Sequence, residues 1–155
     1  LFKELRRKKK LMSQEDTSKI IKEAEYGTLA SVGEDGYPYA VPLNYAFENG
    51  TIYFHSAPEG HKIENIKHNH KVSFSVVTYH QVLPEKFDTE YDSVIVFGKA
   101  FEIIDEQEKK QALTLLIERY SGDYLEQGAR YIDRAVKGVG VFKIEIEHMV
   151  GKRGR

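Results

Sequence analysis

The sequence predicts a mainly β, α+β protein: an antiparallel sheet or barrel with helices at its periphery. Three observations predict it. Short segments of strand composition are joined by tight turn signals, Asp35-Gly36 and Asn49-Gly50, which supply the positive φ angles that hairpins need. The segment 139–147 sets Val141, Lys143, Glu145 and Glu147 against Phe142, Ile144 and Ile146, the two-residue period of a strand. No regular strand–helix–strand alternation runs through the chain, which argues against a doubly wound parallel sheet.

The elements follow in order. Ser13 with Asp16 three residues later resembles a capping box, and Ile20, Ile21 and Ala24 recur on one face. That spacing predicts an amphipathic helix over 14–25, ended by Gly27. A short apolar run at 28–32 precedes the turn Gly33-Glu34-Asp35-Gly36. Residues 37–47 have strand composition but contain Pro38 and Pro42. Proline cannot donate to a ladder, so it belongs at an edge, a bulge or an irregular strand. Asn49-Gly50 is the strongest hairpin signal, with 51–55 as the returning strand. A short helix opens at Lys62, where Ile63 and Ile66 share a face. Strands are expected at 71–78 and 93–104, with a loop between them and Gly98 as a candidate bulge. Ala112, Leu115, Leu116 and Arg119 place a helix at 107–120, a scaffold element; a second follows at 126–136 before the closing strand.

The chain has 155 residues, consistent with one domain over 1–155. Its 41% apolar content argues against disorder. The basic stretches within 1–12 and 152–155 read as solvated tails. Lys and Arg number 23 against 24 Asp and Glu, so net charge gives no general attraction to nucleic acid or anionic membranes. No cysteine is present, which excludes disulfides, thiolate catalysis and thiolate metal sites. No apolar run approaches the roughly 20 residues needed to span a bilayer. The basic start has no apolar stretch behind it, as a signal peptide would require. A cytoplasmic location is the expectation. His68 and His70 lie one residue apart without evident acidic or thiol co-ligands, so no metal is expected.

The segment that carries chemistry is Phe54-His55-Ser56-Ala57-Pro58-Glu59-Gly60-His61-Lys62-Ile63. A strand ends near His55, a polar loop follows, and a helix opens at Lys62. Helix N-terminal N–H groups carry partial positive charge and attract anions. Gly60 permits close backbone approach, while Ser56, His61 and Lys62 offer further donors. Phosphate is the obvious guest. An ordinary strand–turn–helix with a solvated lysine gives the same pattern.

Here the chain resembles a known family. The runs Glu25-Tyr26-Gly27-Thr28-Leu29-Ala30, Asp35 to Tyr45, Ile52 to Ala57, Gly60-His61-Lys62, Val82-Leu83-Pro84, Tyr91 to Ala100, and Met149-Val150-Gly151-Lys152 occur in this order. Together they look like the pyridoxamine-phosphate-oxidase-like flavin-binding split barrels, and more narrowly their nitroimidazole-resistance branch. The likeness spans about residues 6–152.

The resemblance implies a split β-barrel holding FMN at a homodimer interface. It places the phosphate at Ser56, His61 and Lys62, although His61 stands where the oxidases proper carry arginine. It lays the flavin ring along Val41, Pro42, Leu43 and Asn44, and offers Tyr91 and Phe97 as contacts from the partner subunit. It sets His55 beside the flavin as the catalytic candidate. An imidazole there could donate a proton or hydrogen bond to a nitro group, or simply prop the loop. The implied activity passes electrons from reduced FMN to a small-molecule acceptor such as a nitroimidazole. No Gly-x-Gly-x-x-Gly fingerprint is present, so an NADH or NADPH donor would dock directly over the flavin. A non-enzymatic flavin carrier and a haem-binding barrel are the alternatives.

Overall fold

Seven antiparallel strands form one sheet in the computed structural model, which describes residues 1–155. In chain order the elements are α1 (Gln14–Glu23), β1 (Gly27–Val32), β2 (Pro38–Leu43), β3 (Ala46–Glu48), β4 (Thr51–Ser56), α2 (His61–His68), β5 (Lys71–Leu83), β6 (Asp88–Glu102), α3 (Glu106–Tyr120), α4 (Leu125–Ala135) and β7 (Gly140–Gly154). The sheet order is β2-β1-β5-β6-β7-β4-β3. Its two edges, β2 and β3, are consecutive in sequence and separated only by Asn44 and Tyr45. Three Cα steps span at most about 11 Å, so the sheet must roll until its edges nearly meet. The result is a barrel split along one seam.

Sequence and structure agree on most elements and differ at identifiable places. The Ser13 hydroxyl accepts the Asp16 N–H at 3.1 Å, as the capping signal predicts. The helix stops at Glu23, however, and Gly27 opens β1 rather than ending α1. A Cβ on Gly27 would lie 2.3 Å from the Phe74 ring, so this position is glycine for packing. The expected strand 37–47 is two strands on opposite sheet edges, broken at the seam. Both prolines lie in edge strand β2, where a missing donor is tolerated. Asn49 (φ 49°) and Gly50 (φ 72°) make the hairpin turn. The expected loop between 78 and 93 is a hairpin arm: β5 and β6 pair from Tyr79↔Asp92 out to Leu83↔Asp88. Gly98 sits at a register shift against β7, where a Cβ would lie 2.3 Å from the Glu145 carbonyl oxygen.

The two basic tails are not tails. Met12 N–H donates to the Gly151 carbonyl at 2.9 Å, Leu11 bridges to Lys152, and Phe2 stacks on Phe97 and His148. Residues 152–154 belong to β7 and pair with β6. There Arg153 and Arg155 reach the buried Asp92 carboxylate at 2.9 and 3.0 Å.

The barrel interior is filled by Leu29, Tyr45, Phe54, Phe74, Phe142 and their neighbours. A second cluster, including Leu113, Leu116, Ile132 and Val141, fixes α3 and α4 against the outside of the sheet. No helix is long and apolar enough to cross a membrane.

Candidate functional site

Edge strand β2 carries Val41, Pro42 and Leu43 of the residues expected to support the ring. Side chains alternate across a strand, and here Val41 and Leu43 turn toward the core while Pro42 and Asn44 face solvent. Toward an outside ligand Val41 and Leu43 therefore offer backbone only. The seam that follows is fastened by the end of α3. The Tyr120 hydroxyl accepts the Tyr45 N–H at 3.0 Å and lies 2.5 Å from the Glu25 carbonyl oxygen. Arg119 donates to the Ala24 carbonyl, and the buried Tyr45 hydroxyl donates to that of Ile21. Helix 107–120 is thus more than the scaffold expected, since its last two residues lock the backbone at the split.

Strand β4 ends on His55 and Ser56. The chain then turns through Gly60, whose φ of +139° favours glycine, into α2. Ser13 caps α1 and Asp105 caps α3, but no side chain caps α2. Its first-turn N–H groups are available to an anion. Lys62, in that turn, is half-buried and forms no ion pair. The Ser56 hydroxyl donates to the Ala57 carbonyl at 2.6 Å and would have to turn to hold a phosphate.

His61 is placed differently from the expectation. Its ring stacks on Tyr39 at 3.9 Å, and it borders a polar hollow with Glu34, Asp35, Glu64, Asn65, Lys67 and His68. Neither His61 nor Lys62 lines the cleft that holds His55 and Ser56. His70 bonds the Ala100 carbonyl through Nδ1 at 2.9 Å.

His55 and Ser56, with Ala57, form one wall of an open cleft of about 510 Å³; Arg134, Ala135, Gly138 and Val139 form the other. The cleft walls withdraw enough water from the His55 imidazole to push its pKa below the ordinary 6.5. At neutral pH the ring is therefore uncharged, with one N–H donor and one lone pair. Arg134 had no signal in the sequence, since a cation in a helix's last turn is common for dipole reasons alone. Tyr91 and Phe97 do not reach this cleft. Tyr91 lies under the ammonium groups of Lys10 and Lys152 at 5.7 and 5.3 Å, and Phe97 is stacked by Phe2 at 5.4 Å.

The donor set suits a phosphorylated planar cofactor: an uncapped helix start with Lys62 for the phosphate, and edge strand β2 with Pro42, followed by Asn44, for a flat ring.

The sequence profile of the pyridoxamine 5'-phosphate oxidase family matches residues 13–153. Among solved structures, a candidate 5-nitroimidazole antibiotic resistance protein from Bacteroides thetaiotaomicron is 31% identical. It superposes with a TM-score of 0.80 over 92% of this chain and 86% of that one. A FAD-binding protein from Mesorhizobium loti is 28% identical, with a TM-score of 0.70 over 94% and 97%. A FAD and heme binding protein from Mycobacterium smegmatis, 17% identical, shares the fold with a TM-score of 0.76 over 94% and 74%. No curated protein matches the sequence significantly.

Proposed function

Because the chain belongs to the pyridoxamine 5'-phosphate oxidase family, we propose that it is a flavin-binding oxidoreductase that holds FMN and reduces a small acceptor such as a nitro compound. The observation that carries this reading is the β4–α2 junction. Strand β4 ends beside an uncharged histidine in an open cleft, and after the 57–60 loop the chain enters an uncapped helix with an unpaired, half-buried Lys62. Lys62 and the α2 N–H groups would hold the phosphate; the backbone of Val41 and Leu43, with Pro42 and Asn44, would support the ring. The bound flavin supplies a two-electron couple. His55, neutral at pH 7, presents its N–H to an acceptor oxygen, and its exposure lets an acceptor enter. A carrier would instead need this space closed, so the open cleft favours an enzyme.

The same reading includes a homodimer. Val77, Ile95 and Phe97 are 58%, 44% and 38% exposed on the sheet's outward face, and Tyr91 lies on that face too. A second copy seated there would cover this apolar surface and bring Tyr91 and Phe97 toward the partner's flavin. Light scattering of the FMN-loaded protein should give a dimer at micromolar concentration; a flavin-loaded monomer would refute the arrangement.

The direct test of function is the visible spectrum after incubation with FMN, FAD or haem, followed by NADH or NADPH oxidation with and without a nitroaromatic. Flavin absorbance and nitro-dependent oxidation support the reading. A Soret band would replace it with haem binding, and bound flavin without turnover by either donor or chemical reductant would leave a carrier.

A further inference from the structure

We infer that Arg134 makes the His55 cleft a site for a small organic carboxylate, so that the preferred acceptor carries a carboxylate beside its reducible group. The second half of this statement rests on the reductase reading; the binding half does not.

Arg134 is the only permanently charged side chain lining the cleft, and no carboxylate lines it. Its neighbour Asp133 is committed to Lys110 at 3.6 Å, whereas Arg134 makes neither an ion pair nor a hydrogen bond. Across the cleft stand the His55 imidazole, able to donate an N–H, and the Ser56 hydroxyl, which donates to the Ala57 carbonyl at 2.6 Å and would have to turn to reach a ligand. Donors converge here without an acidic partner. A guanidinium presents a planar fork that matches a carboxylate in two parallel hydrogen bonds. The remaining lining, Ala57, Ala135 and Val139, is small and apolar and suits a compact hydrocarbon body. A Cβ on Gly138 would meet nothing within 4 Å, so the cleft is open at that wall. The same charge chemistry could serve the flavin phosphate, and the experiment separates the two sources.

Benzoate is titrated by calorimetry into flavin-free and FMN-loaded protein, with circular dichroism confirming the fold of each variant. Wild type is expected to bind it, Arg134→Gln to bind about 10–100-fold more weakly, and Arg134→Lys to fall between. Gly138→Leu, which fills the open wall, should also block benzoate while keeping FMN affinity. In turnover, wild type should prefer 4-nitrobenzoate over nitrobenzene, and Arg134→Gln should lose that preference. Equal benzoate affinity in wild type and Arg134→Gln, or no benzoate binding at all, overturns the inference. So does an Arg134→Gln variant that loses FMN but not riboflavin affinity, which would assign Arg134 to the phosphate. If nitro compounds are not reduced but benzoate binding still depends on Arg134, the reductase reading fails and the carboxylate site stands.

Discussion

At the scale of single residues, His55 is the group whose environment most constrains its chemistry. Partial desolvation by the cleft walls lowers its pKa below 6.5, so acid protonates a ring that the fold prefers neutral. The folded protein then binds fewer protons than the unfolded chain between the lowered pKa and 6.5. Stability contributed by this site is therefore lost as pH falls through that window. The His55 ring protons, followed by NMR, should titrate below 6.5. His55→Ala should retain FMN and lose about 10²–10⁴-fold in rate; loss of flavin with unchanged rate per bound flavin would make His55 a loop prop instead. Lys62→Ala should weaken FMN about 10–100-fold, the worth of a hydrogen bond to a charged group, while riboflavin binds both proteins alike. Titration of each flavin by fluorescence quenching checks it. The cleft position of His55 and Ser56 was legible because both end one strand before a turn, whereas Lys62, after the 57–60 loop, does not line that cleft. The stacking of His61 on Tyr39 was not legible, because it joins α2 to a strand distant in sequence. Arg134 was silent for the same reason: only the packing of α4 brings it opposite β4.

At the scale of elements, the seam shows what patterning reveals and conceals. Prolines flagged 37–47 as irregular, and the irregularity is a change of sheet edge between Leu43 and Ala46. Periodicity cannot register this, because both pieces remain extended. The length of β5, β6 and β7 was also hidden. Polar residues such as Gln81, Glu90 and Lys152 resemble a loop or a tail in sequence, yet their backbones are paired. Tyr120 is the element-level test. Tyr120→Phe leaves the Tyr45 N–H without its partner and should cost about 1–3 kcal/mol of stability, read by urea unfolding. Because the seam adjoins Asn44, FMN affinity should also fall; unchanged stability and affinity would show that the hydroxyl is dispensable.

At the scale of the whole molecule, the two chain ends close the structure. Burial alone would raise the Asp92 pKa, but hydrogen bonds and charge from Arg153 and Arg155 hold it below the ordinary 3.8. Its contribution is thus complete at neutral pH and lost as pH falls below about 3.8. Asp92→Ala should destabilise the protein by about 1.5–3 kcal/mol at pH 7, with a smaller difference from wild type in strong acid. Thermal melts at both pH values check this. The overall α+β class followed from hairpin turns and the alternating last strand, which are local signals. Closure into a barrel was not local, since it depends on β4 meeting β7 across Ser56↔Gly140.

The edge strand has one more consequence. An unpaired strand margin is a template on which further chains can add, the first step toward fibrous aggregates. In β2 that margin carries Pro38 and Pro42, whose rings and missing donors make a poor template. The free margin of β2 is therefore protected against polymerisation by the same two prolines that broke its strand pattern in the sequence.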